Sequence, residues 1–213
     1  LYSLIPKTFK VYKPAFKERY GDADVQKAQK IIAEAGFTPE NPAIVEIWHT
    51  SSSINSSIAA TVIKALAKRD LGGAIQFQPN NIAGAVFFSK IGQGLYQTAI
   101  SGWYPDFLDP DNYISPFLSC DKGSPAQGCQ EGASQSQGSF YYSDRMNQLI
   151  AQQRKEQNPE KRKQVFAEIQ DLLAEDAPYI PLWQSKNYAF AQKGVQGIII
   201  NPSQTLPFWT IKS

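Results

Sequence analysis

"GLYQTAISGWYPDFLDPDNYISPF", Gly94–Phe117, runs a strand-like segment straight into an acidic, aromatic loop. Its second part, Ser101–Phe117, packs three aspartates, three prolines and five aromatics into seventeen residues. No Lys or Arg lies between Lys90 and Lys122, so Asp106, Asp109 and Asp111 have no local cation to neutralise them. The positive charge that meets them is the question the stretch poses.

Upstream, strand and helix patterns alternate. "AIQFQP" (74–79) reads as a strand, followed by a helix through Phe87 to Lys90. Before it, a helix begins near Ser53, repeats Ile54, Ile58, Val62 and Leu66 at helical spacing, and ends at "LGG". "AIVEIWHT" (43–50) is β-branched and aromatic enough for a buried strand. Asp22 is expected to cap a helix carrying Val25, Ala28, Ile32 and Ala35, stopped by Gly36. Residues 1–20, with their prolines and aromatics, read as an extended arm. This alternation predicts an α/β layer and no helix bundle. Gly94–Trp103 is then a third strand, and its loop leaves where open α/β sheets place ligands.

Downstream, residues 121–139 are Gly, Ser and Gln with little apolar content and read as a solvated loop. Ser143 begins a helix. Asn158-Pro159 caps a stronger one, with Val165, Ile169, Leu172 and Leu173 facing inward and "DAPYIP" closing it. "YIPLWQ", "NYAFAQ" and "GVQGIII" read as three short strands.

The 213 residues suffice for a real core, and 42% hydrophobic against 19% charged residues excludes global disorder. A net charge of +2 is too even to point to nucleic acid or an anionic membrane. No apolar run, the strand-sized Gly197–Asn201 included, approaches the length of a membrane helix. The chain opens on Leu1, which leads us to expect a processed protein or an excised piece. Cys120 and Cys129 flank "DKGSPAQG"; they are either free thiols or, the reading we prefer, a disulfide stapling the loop. That staple would be worth about 2.5–3 kcal/mol in the chain-entropy model and would point outside the cytoplasm.

Three chemistries compete for the aspartates. Asp109 and Asp111 can shape turns around Pro105 and Pro110, bonding their own backbone. A calcium loop would need a spacing, a central Gly and a closing Glu that are not there. A carboxylate pair for hydrolysis, Asp106 with Asp109, lacks any sign of a raised-pKa acid. The chain carries no P-loop, nucleophile elbow or His-based triad, so catalysis and cofactors are not expected.

"GWYPDFLDPDNY" strongly resembles the second-lobe signature of family 5 extracytoplasmic solute-binding proteins, the peptide-binding components of ABC importers. "SC…C" after it looks like the disulfide-bearing loop of dipeptide-binding members. "NPEKRKQVFAEIQDLLAEDAPYIPLW" is similar to the family's late helix and following strand, and "VYKPAFKERYGDADVQKAQKIIAEAGF" to an earlier helical segment. The resemblance covers nearly the whole chain in order. It implies a type II periplasmic-binding-protein lobe, a mixed β-sheet flanked by helices. Residues 1–197 would form lobe II, with 1–20 a hinge-proximal arm, and 198–213 would cross back to an N-terminal lobe that precedes this segment in relatives.

The same resemblance assigns roles. Asp106 matches the carboxylate that pairs with a peptide's α-ammonium group, with Trp103 and Tyr104 supplying backbone groups and apolar walls. Trp183 would lie near the hinge, as core or ligand contact. Some members bind nickel complexes, haem, sugars or opines in place of peptides. The partners implied are a short peptide, a membrane permease and the missing lobe, in the periplasm or on a cell-surface lipoprotein. Oligopeptide-binding relatives carry an anchoring Arg where this chain has Ile100, as dipeptide-type members also lack it. His49 and Trp48 receive no ligand role. Phe208 and Trp209 must pack on the lobe or stand exposed.

Overall fold

The computed structural model describes residues 1–200 and 206–212; part of the expected C-terminal crossing segment, 201–205 and 213, lies outside them. Two short helices, α1 (Ala15–Tyr20) and α2 (Val25–Glu34), precede an alternating unit. That unit is β1 (Ala43–Thr50), α3 (Ile54–Asp70), β2 (Ile75–Ile82), α4 (Gly84–Ile91) and β3 (Thr98–Ala99). A 3₁₀ turn (Pro110–Tyr113), α5 (Ser115–Leu118), β4 (Lys122–Ser124), β5 (Gly128–Glu131) and α6 (Ala133–Ser136) follow. Two long helices, α7 (Asp144–Lys155) and α8 (Pro159–Asp176), and a 3₁₀ turn at Phe208–Thr210 complete the order.

The main sheet is parallel, ordered β2-β1-β3, and the separate β4-β5 hairpin is antiparallel. On the face under α3, Ile47 and Ile100 pack with Ala59, Ala60, Ile63 and Phe77. Small residues let the helix approach the strands closely. The stripe that announced α3 is a different one: Ile54, Ile58, Val62 and Leu66 stand exposed. A larger core unites Ile5, Ala15 and Phe16 with Ile114, Leu118 and the inner faces of α7 and α8, including Val165, Ile169 and Leu173.

Several sequence expectations are corrected. The cap of α2 is Asp24, whose carboxylate accepts from the Lys27 amide at 2.9 Å, because Ala23 turns the chain with a φ of 44°. Asp22 instead binds the Tyr2 hydroxyl and Lys17. The N-terminal arm is not simply extended: it bends and turns between Ser3 and Val11, with the Phe9 amide donating to Pro6 O and the Tyr12 amide to Phe9 O, and α1 follows Pro14. The third strand shrinks to two residues, since the Gln97 side chain takes the ladder's place and accepts from the Glu46 amide at 2.9 Å. Residues 121–139 are no open loop. The Cys120–Cys129 disulfide, the hairpin and α6 structure them, and Ser134 is fully buried with its hydroxyl donating to Tyr141 O. A covalent bond and backbone pairing there do what apolar burial does elsewhere.

The three C-terminal strands are also overturned. Residues 179–184 and 187–192 form no strand, and Gly194–Ile200 contributes one isolated bridge, Gln196 to Lys212. Strand-favouring residues need a neighbouring edge to pair along, and among the described residues none forms a ladder with them beyond that bridge. Phe208 and Trp209 take the exposed alternative.

Gln170 locks the N-terminal arm. Fully buried on α8, its amide accepts from Ser3 Oγ and the Lys13 amide, both at 2.8 Å, and donates to Val11 O at 2.8 Å. Gln170→Leu should cost about 2–4 kcal/mol by chemical denaturation, because buried partners are left unpaired. It should also speed proteolysis within residues 1–14; an unchanged midpoint would refute the lock.

Candidate ligand-binding site

Parallel pairing brings the C-terminal ends of β1, β2 and β3 to one edge of the sheet. From the last of these the chain runs through Ser101–Asp109 into the 3₁₀ turn, then buries Ile114 and Leu118 in the helical core. The acidic loop therefore spans from the sheet edge to the α7–α8 body.

Two of its three aspartates meet their cations there. Asp109 accepts the Asp111 amide at 2.8 Å, shaping the turn as its position beside Pro110 predicts. The same carboxylate takes a two-pronged bond from Arg162 of α8, at 2.7 and 2.9 Å. Burial opposes the charge on Asp109, but the Arg162 guanidinium and the Asp111 amide outweigh it and hold the group below the usual carboxylate range. Asp111 is buried and binds Arg154 of α7 at 2.8 and 3.1 Å, with Gln153 donating to its other oxygen. Arg154 also reaches Ser115 Oγ at 2.7 Å.

Asp106 is different. It is exposed, and among the described residues it has no ion-pair partner. Among the described residues, the one hydrogen bond to its side chain is a long 3.4 Å bond from Asn112 Nδ2. Its neighbours in the loop, Tyr104, Phe107 and Leu108, stand exposed as well. A free carboxylate in a loop that also exposes apolar side chains suits a cation that carries an organic body.

Trp103 is half-buried. Its ring meets Phe117 edge-on at 5.1 Å, Phe117 meets Tyr179 likewise at 5.2 Å, and its indole N–H donates to Asn112 Oδ1 at 3.1 Å. Tyr104 is 64% exposed, a wall without a packing role. Trp183 is 42% exposed in the strandless segment after α8. Ile100 is buried in the small sheet core. His49 is buried, with Nδ1 3.1 Å from Thr50 O, which suits a structural residue. The pairing of Asp106 with Asp109 for hydrolysis fails, because Asp109 is committed to Arg162. Sequence reasoning missed Arg154, Arg162 and Asn112. The absence of local cations signalled that distant ones were needed, but nothing in spacing says which.

The family model for bacterial extracellular solute-binding proteins, family 5, middle region, matches residues 1–125. The chain belongs to this family, one of solute-binding proteins and not of enzymes. Di/tripeptide-binding protein 4 of Pseudomonas aeruginosa is 29% identical over 189 residues, covering 88% of this chain and 33% of that protein. The periplasmic binding protein DppA of Helicobacter pylori, solved with the peptide STSA, superposes with a TM-score of 0.67 at 25% identity, over 85% of this chain and 32% of that one. A dipeptide-binding protein of Pseudoalteromonas sp. SM9913, solved with Met-Leu, shares the fold over 100% of this chain and 39% of its own, with a TM-score of 0.78 at 21% identity. The fold is thus an α/β lobe of the type II periplasmic-binding-protein kind. The chain spans about a third of the length of the curated relatives it matches.

Asp109→Asn should destabilise the protein by about 1–2 kcal/mol at pH 7, allowing for the partial exposure of both side chains. The depressed folded value fixes the sign. The gap between wild type and variant is full above the ordinary carboxylate range near pH 4 and closes as pH falls through the lower folded value. Urea melts at pH 7 and pH 2 check it; a constant gap would exclude the ion pair as its origin.

Proposed function

We propose that this chain is the ligand-capturing lobe of the substrate-binding component of an ABC importer, and that it holds short peptides by their free α-ammonium group at Asp106. One observation carries the reading: of three aspartates on one loop, two are neutralised within the protein and the third stands exposed without a cation among the described residues. An ammonium is the small organic cation that such a carboxylate can hold through charge-assisted hydrogen bonds, each worth about 1.5–3 kcal/mol.

Tyr104 and the half-buried Trp103 would wall the first ligand residues, with Phe107 and Leu108 extending that wall. Main-chain bonds to an added peptide strand, with wet side-chain pockets, would leave side-chain choice broad. Trp183 remains a candidate contact near the hinge. A second lobe is needed to exclude water and strengthen the pair, and closure about a hinge would accompany capture. Delivery to a membrane permease on the extracytoplasmic side follows from that role. Relatives described as binding di- and tripeptides, and one solved with a tetrapeptide, support short peptides as the solute class.

Asp106→Asn in the full-length protein should weaken binding of free-amino peptides about tenfold or more by calorimetry. Wild type should bind the N-acetylated forms poorly. Equal affinity for acetylated and free peptides would remove the anchor role. Native mass spectrometry of protein purified without refolding would then show whether another solute class co-purifies.

A further inference from the structure

We infer that Asn112 is the positioning residue for Asp106, turning an exposed carboxylate into an oriented one; this rests on the peptide-capture reading. Asn112 lies 4% exposed at the heart of the 3₁₀ turn. Its Oδ1 receives two donors, the Trp103 indole N–H at 3.1 Å and the Asp106 backbone amide at 3.0 Å. Both partners can only donate, so the carbonyl oxygen must face them. The Nδ2 group must then point the other way, and there it meets Asp106 Oδ2 at 3.4 Å. One side chain therefore ties the aromatic wall, the backbone of the anchor and the anchor's carboxylate together.

The division of the Asp106 carboxylate follows. Oδ2 faces the Asn112 amide, whereas Oδ1 has no hydrogen-bond partner among the described residues. A rotating surface carboxylate loses side-chain freedom when it grips a cation, and a carboxylate already held on one oxygen loses less. Few side chains suit the position. An aspartate would set a second negative charge against Asp106, and a serine is too short to span three groups.

Asn112 is itself fixed from both sides of the loop. Its neighbour Asp111 is bound by Arg154, and Asp109 by Arg162, so the turn that carries it is bolted to α7 and α8. The order of command runs from helix arginines to turn, from turn to Asn112, and from Asn112 to Asp106. A merely structural asparagine would satisfy the Trp103 indole N–H and the Asp106 backbone amide and have no bearing on which ligand ends are accepted.

The test uses trialanine and N-acetyl-trialanine as probes of the full-length protein. Asn112→Ala should weaken trialanine about tenfold while changing N-acetyl-trialanine less than about twofold, so that the preference for a free amine collapses. Equal losses for both peptides would make Asn112 structural and overturn the inference. If Asp106→Asn leaves the preference intact, the capture reading itself falls; if Asp106→Asn collapses it and Asn112→Ala does not, only the inference falls. Should neither peptide bind wild type, both fall. A second arm does not depend on the variant folding. In the folded wild type, the Asn112 side-chain amide signal by ¹⁵N NMR should shift on addition of trialanine. The shift should vanish in Asp106→Asn, and a flat wild-type signal would break the proposed coupling.

Discussion

Arg154 and Arg162 reach from two different helices to the aspartates on either side of Pro110. The loop's geometry depends on this pair of grips. Charge-assisted forks are directional, and both helices belong to the larger apolar core, so the 3₁₀ turn inherits the rigidity of that core. Without them, a loop carrying three like charges would repel itself and open into solvent. With them, the loop becomes a fixed bracket between the end of the sheet and the helical body.

The same grips explain why three chemically identical side chains do three different things. Asp109 shapes the turn and accepts Arg162, Asp111 is buried under Arg154 and Gln153, and Asp106 remains outside. Burial and pairing sort them. Among the described residues only the third is left without a partner cation, and so open to one from outside. Asn112 adds orientation without neutralising charge, which an arginine in its place could not do.

The packing also leaves much apolar surface uncovered. The outer stripe of α3, with Ile54, Ile58, Val62 and Leu66, and the side chains of Ile180, Phe190, Phe208 and Trp209 all face solvent. Where such surface is contiguous, as along the four-residue spacing of the α3 stripe, it marks an interaction face. The chain spans about a third of the relatives it matches, and strand-like sequence after α8 that finds no edge here accords with that share.

What could be read from the sequence was local. Alternating patterns placed β1, α3, β2, α7 and α8, Ser53 and Asn158 capped where short polar side chains should, and the aromatic-acidic motif marked the loop. These signals are legible because each depends on residues a few positions apart. What only the tertiary structure decided was pairing across distance: Arg162 with Asp109, Arg154 with Asp111, and Gln170 with the N-terminal arm. The same holds for the strands that failed, because a strand exists only when a partner edge is present, and for the buried side of α3, where small alanines won over larger isoleucines. The sequence determined which groups carry charge; the fold determined which of them meet, since Coulomb attraction and burial depend on distance in space and not along the chain.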